Sequence, residues 1–481
     1  MRSRFTRHLD WLLAPQASRA KDRRALFFTA KVAPAQLPPG FSGHDLAVFL
    51  LHVAAEIEHV LMVQYLYAAY SLGGDQVPHN RREEVSRWQE VILGIAKEEM
   101  GHLITVQNML RLLGGPLNLE RNDYPWDAPF YPFEFTLERL SRGSLARYVF
   151  TESPEKWPSD VSADEKKEII RLAAAGQTKP VNQVGKLYGR LIDVIGDADL
   201  VPDELFQADT LPYQASWDEW GRGYRQGARG NTLSPGNKSP DVLIRTAYSR
   251  TTAVDALTAI AHQGEAPDMD PDTDDKSHFR RFLEIFRRFP TEKDRWSPTV
   301  PVATNPRVLG GDEDIPKTVW ISDPHSRAWA ELLNLRYRML LAYLSHAFNL
   351  SGAHGHVPGV NARGMLVHHT FGEMYNLRSI SRLLVQMPAG ASKETRAGPP
   401  FDMPYTVKLP AAERDCWRLH LDLLEASANL IRDIEAFADE HAKDYLTTLA
   451  GLDRETIVAV ERLLSMRDRQ VAARNLERSA V

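Results

Sequence analysis

Residues 45–72, DLAVFLLHVAAEIEHVLMVQYLYAAYSL, constrain the fold more than any other stretch, because as an α-helix they are apolar on nearly every face. Such a helix must be covered by protein on all sides, which requires a bundle with this helix inside it. Ser42 stands where an N-cap belongs, and Gly73 with Gly74 supplies the stop. The polar exceptions are Glu56, Glu58, His59 and Gln64. Buried carboxylates and imidazoles are costly unless something pairs them.

A second helix opens at RREEVSRWQ and runs to the stop Gly114-Gly115-Pro116, so the two should form a hairpin. Its apolar stripe holds Ile92, Ile95, Ala96, Leu103, Val106 and Leu110, and on that stripe sit Glu99 and His102; Glu98 falls off it. Glu58 lies two turns before Tyr65 on one stripe of the first helix. One Glu from one helix and Glu-x-x-His from its neighbour make the half-site of a carboxylate-bridged metal centre in a bundle. The bland alternative is a buried acid–imidazole pair with no ion. The single cysteine, Cys416, removes cysteine-cluster sites and intramolecular disulfides, so a metal would be held by Glu, Asp and His, a donor set that suits iron or manganese. Tyr65 is expected in the core, its hydroxyl needing an acceptor such as a metal-bound carboxylate. Glu56 is left open as a further ligand.

A net charge of −5 gives no field that would gather nucleic acid or anionic lipid. No segment looks like a signal peptide or a membrane span, so the chain reads as cytoplasmic, with neither nucleic acid nor membrane as partner. Three segments are expected: a lead-in over 1–44 with a short candidate strand ALFFTAKV, a bundle domain over 45–405, and a C-terminal helical extension over 406–481 packed outside it. Within the domain, YLYAAYSLGGDQVP is echoed by YLSHAFNLSGAHGHVP and EEMGHL by GEMYNL, which suggests two hairpins, about 45–115 and 325–390. The stretch about 116–320 between them is then a large mixed insertion, with VLIRTAYSR as a candidate strand. The fold class is mainly α. The echo aligns Glu58 with Arg336, Glu99 with Glu373 and His102 with Asn376, which leaves only Glu373 as a possible metal ligand in the last of these helices. His354, His356, His368 and His369 have metal-like spacing but Gly and Pro neighbours, and Arg222, Arg225 and Arg229 read as a solvated loop that could clamp a carboxylate.

The Glu-x6-Tyr of EIEHVLMVQY and the Glu-x-x-His of EMGH resemble the ferritin-like superfamily of diiron and dimanganese proteins. AHQGEAPDMDPDTDDKSHFRRFLEI and AGPPFDM are similar, more narrowly, to the iminophenyl-pyruvate dimer synthase family, the ferritin-like part of enzymes of violacein-type and rebeccamycin-type biosynthesis that couple tryptophan-derived imines. The resemblance implies a ferritin-like four-helix bundle with Glu58, Glu99 and His102 as metal ligands, joined by Glu265 and His278, and with Asp275 as a shortened Glu-x-x-His equivalent. Either the insertion supplies the second half-site, or the centre holds one metal and Arg336 supplies charge in place of another. The expected activity is a non-haem iron oxidoreductase of secondary metabolism, mononuclear or dinuclear, with manganese as the other metal. Its partners would be dioxygen or peroxide and a small amino-acid-derived imine or oxo acid, with Tyr65 and Arg336 beside the metal. Homo-oligomerisation stays open. The alternatives are a ferroxidase or iron-handling protein, and a metal-free bundle serving as a partner in a biosynthetic complex.

Overall fold

The computed structural model describes residues 40–127, 130–177, 181–220, 224–225, 228–229, 244–266, 276–308, 315, 317–351, 356–357 and 360–479. They fall into two units, one of residues 1–305 with 314–319 and one of residues 306–313 with 320–481. Among the described residues the strands are two-residue pairs, and helices carry the fold. The candidate strand ALFFTAKV lies outside the described residues, and Ile244–Ala247 of VLIRTAYSR forms no strand.

In the first unit α1 (Gly43–Tyr70) is closed at its start by a capping box between Ser42 and Asp45, and Gly73 and Gly74 follow it at positive φ, 108° and 97°. It packs along α2 (Arg82–Leu112). By length and composition α1 is able to span a bilayer, which corrects the expectation that no segment approaches that size; its side chains are buried in this unit instead. The short helices α3 (Arg142–Thr151) and α4 (Ala163–Ala174) pack on each other. Then come α5 (Gly185–Gly196), the single turn α6 (Trp217–Trp220), α7 (Arg250–Glu265) and α8 (His278–Arg288). α5 packs on α1 and on α7, and α7 reaches α2, so α1, α2, α5 and α7 close a four-helix bundle; α8 lies against α2, α3 and α7.

The helices therefore sort differently from the expected pairing of hairpins 45–115 and 325–390. The partners of α1 and α2 come from the stretch read as an insertion. In the second unit α9 (Pro324–Asn349) and α10 (Ala362–Leu384) pack together, α11 (Glu413–Glu435) packs on α9, and α12 (Glu440–Ser479) packs on α11. The C-terminal helices are thus members of a second helical group rather than an outer layer. The physical reason is length: α5 and α7 have 12 and 16 residues against the 28 and 31 of α1 and α2, too short for their apolar periodicity to stand out beside the long hairpin at 324–384.

Candidate metal centre

The 3.6-residue period of α2 sets Glu99 and His102 side by side, and both are buried. His102 Nδ1 lies 2.9 Å from Glu99 Oε2 and 3.4 Å from Glu58 Oε2 of α1. The other oxygen of Glu99 turns to α8, where Oε1 lies 2.9 Å from His278 Nδ1. His278 Nδ1 in turn lies 3.8 Å from Oε2 of Glu152, the residue that ends α3. Two groups close enough to hold a cation result, Glu58 with Glu99 and His102, and Glu99 with Glu152 and His278. Glu99 belongs to both. The two imidazoles stack with ring centroids 5.4 Å apart.

Outer contacts fix Glu58, His102, Glu152 and His278. His102 Nε2 lies 2.7 Å from Gln263 Oε1 and donates to it. His278 Nε2 lies 2.9 Å from Glu98 Oε2, and Arg281 clamps the same carboxylate with both terminal nitrogens. The Tyr188 hydroxyl donates to Glu58 Oε1, and the Tyr65 hydroxyl donates to Glu152 Oε1 at 2.5 Å. An imidazole that donates outward from Nε2 presents Nδ1 inward as a lone pair facing carboxylate oxygens, an arrangement that a proton or a metal ion must satisfy. Glu58 Oε2, Glu99 Oε1 and His278 Nδ1 are buried and make no hydrogen bond. These orphaned donors, all oxygen or imidazole nitrogen, fit iron or manganese.

The electrostatics carry the same strain. Burial and the neighbouring Glu99 charge push Glu58 up to about 8. Burial acts against ionisation of Glu99 too, yet His278 and His102 outweigh it and hold that carboxylate well below its usual range. Against its own burial, Glu99 and Glu58 raise His102 to about 10. Without a cation the imidazoles carry the positive charge that the carboxylates demand.

A cavity of about 20 Å³ adjoins the cluster, lined by Glu58, Glu99, His102, Glu152, Tyr188 and Glu265 among others. A site for one water takes about 10–15 Å³, so this space suits a ligand of one or two heavy atoms. Gly185 opens α5 there: a Cβ on it would lie 1.7 Å from Glu265 Oε2, so the absence of a side chain is what lets that carboxylate in. Burial, then the charges of Glu152 and Glu155, push Glu265 up to about 7.

The sequence-derived residues are thus placed as follows. Glu58, Glu99, His102 and His278 come together, and Tyr65 finds its acceptor in a carboxylate of the cluster. Glu265 lines the cavity but belongs to neither three-residue group. Asp275 lies outside the described residues, as do His354 and Arg222. Glu56 is taken up by Tyr131 and Asn122, at 2.5 and 2.9 Å, and so anchors the segment after α2. Arg336 sits in the second unit, its guanidinium held by Glu373, Asp453 and Ser427, and so is not a member of this cluster. Glu373 is engaged there and not in the metal groups. Sequence reasoning missed Glu152, whose one signal is an acid directly after the apolar turn YVFT, and Glu98, set aside as off-stripe although α8 covers that side of α2.

The ferritin-like family model matches residues 51–287, a span that runs from α1 to the end of α8 and contains every residue of the cluster. Dichlorochromopyrrolate synthase of Lentzea aerocolonigenes is 27% identical over 442 residues, covering 83% of this chain and 41% of that protein. The 2-imino-3-(indol-3-yl)propanoate dimerase of Chromobacterium violaceum is 25% identical over 383 residues, covering 74% of this chain and 33% of that protein. The chain therefore spans less than half the length of either relative. A ferritin-like protein of Caulobacter vibrioides with a known crystal structure covers 69% of this chain and 95% of its own at 18% identity and a TM-score of 0.38, a likeness too loose to add weight. Because the matched span is the one that builds the bundle and its acid–imidazole cluster, residues 51–287 form a ferritin-like domain.

Proposed function

We propose that this protein is an oxidative enzyme of secondary metabolism with a dinuclear iron centre, acting on a small amino-acid-derived imine or oxo acid. The observation that carries the reading is Glu99, whose two oxygens face two different imidazoles and so complete two ligand sets that share one carboxylate. Glu58 and His102 would hold one metal with Glu99, and Glu152 and His278 the other. Iron in this donor set would supply one-electron redox chemistry toward dioxygen or peroxide. The protein's own contribution is positional: Tyr188 and Tyr65 orient the terminal carboxylates, while Gln263 and Glu98 fix the tautomers of the histidines. Glu265, near neutrality in its proton affinity, is able to hold or release a proton at the edge of the cavity. The substrate class rests on the names of the two relatives, and manganese is the other metal that these donors suit.

The test is dioxygen consumption by the ferrous-loaded protein, with and without imines generated from aromatic amino acids. Consumption that depends on the organic substrate, and that disappears in Glu99→Ala, is the expected result. Uptake that tracks iron alone would give iron oxidation as the function, and no uptake by either variant would favour a bundle that acts only as a partner.

A further inference from the structure

Between α9, α11 and the segment 404–410 in the second unit lies a cavity of about 260 Å³, near the lower end of small-molecule clefts at ~300 Å³. Ala342, Val407 and Leu419 give it apolar walls, while Arg338 and Lys408 give it charge. No aspartate or glutamate lines it, and among the described residues neither cation takes part in an ion pair. The Arg338 guanidinium lies over the ring of Tyr405, 4.8 Å from its centroid, and Nη2 donates to the Tyr405 hydroxyl at 3.1 Å. A guanidinium held over a ring by one donated bond still has N–H groups free of ion-pair partners, and a planar fork of them can grip a carboxylate with two bonds. Tyr405 itself is 78% exposed, a large ring surface left in water that a ligand body would cover.

We propose that this cavity is a binding site for a small organic anion, its carboxylate on Arg338 and its ring or alkyl body against Ala342, Val407 and Leu419. The site uses no residue of the metal centre. Lys408, on the segment opposite, adds charge without fixing geometry, so its part in affinity is the smaller.

Phenylacetate titrated into the full chain, followed by saturation-transfer NMR and calorimetry, tests the assignment. Saturable binding is expected, weakened at least ~10-fold in Arg338→Gln and less in Lys408→Gln. Phenylacetamide, the same body without the charge, should bind at least ~10-fold more weakly than phenylacetate, and Glu99→Ala should bind phenylacetate as the parent does. The assignment is overturned by no saturation up to about 10 mM, where association is worth under ~3 kcal/mol, or by equal affinity for the amide. Unchanged affinity in both cation variants with helical content intact, or loss of binding in Glu99→Ala, would overturn it as well.

Discussion

The two units bury polar clusters, at positions that the internal echo aligns, and these are satisfied in opposite ways. In the first, Glu58, Glu99 and His102 come together; in the second, the residues that the internal echo aligns with them, Arg336, Glu373 and Asn376, come together too. Arg336 of α9 bonds Glu373 of α10 at 3.0 Å, Ser427 of α11 at 2.8 Å and Asp453 of α12 at 2.9 and 2.5 Å, while Asn376 donates to Glu373 at 3.1 Å. One guanidinium, always charged, thus joins four helices. The first cluster has no permanent cation; its carboxylates face imidazoles that would have to give up a proton for a metal to bind there. The difference teaches that a buried carboxylate alone does not mark a metal site. What marks it is a partner that can be exchanged.

The largest effect that would break this comparison is in the second unit. Arg336→Ala leaves Glu373 and Asp453 buried without their cation, and should cost about 3–5 kcal/mol in denaturant unfolding while metal content of the purified protein stays at the parent level. A loss of metal in that variant would mean that the two clusters are not independent. Next in size is Glu98→Gln, which removes the charge that orients His278; ferrous affinity of the set containing His278 should fall about 10–100-fold, read by competition with a chelator, with the His102 set unaffected.

How far the sequence revealed these clusters depended on periodicity. Glu58, Glu99 and His102 lie on long helices whose apolar stripes frame them, so a 3.6-residue reading finds them directly. Glu152 ends a ten-residue helix and His278 begins an eleven-residue one, where a stripe has barely three turns in which to appear, so one was missed and the other rested on resemblance. Glu98 shows the other limit: a one-stripe view of α2 treats the flank as solvent, although α8 brings His278 and Arg281 to it. The echo at Arg336 was legible as a repeat, but its meaning as a second group of four helices needed Asp453 and Ser427, which the repeat does not contain.

The smallest expected effect sharpens the contrast through pH. Burial, and then the charge of His368, hold His369 on α10 down to about 4, with Asp453 pulling the other way and His420 stacked beyond Tyr343. The unfolded imidazole titrates near 6.5, so between about pH 6.5 and 4 the unfolded chain binds a proton that the folded one refuses, and stability falls as pH falls through that window. His369→Gln should flatten that part of the stability curve, measured by urea midpoints from pH 7 to 4; an unchanged slope would place the acid sensitivity elsewhere, with buried His52 as the first candidate.

The central claim is that Glu99 serves two metals at once, and metal stoichiometry after anaerobic ferrous reconstitution tests it most directly. The account predicts two irons per folded parent chain, none in Glu99→Ala, and one each in His102→Ala and His278→Ala. A folded parent that takes up no metal, or a Glu99→Ala chain that keeps both, would contradict it.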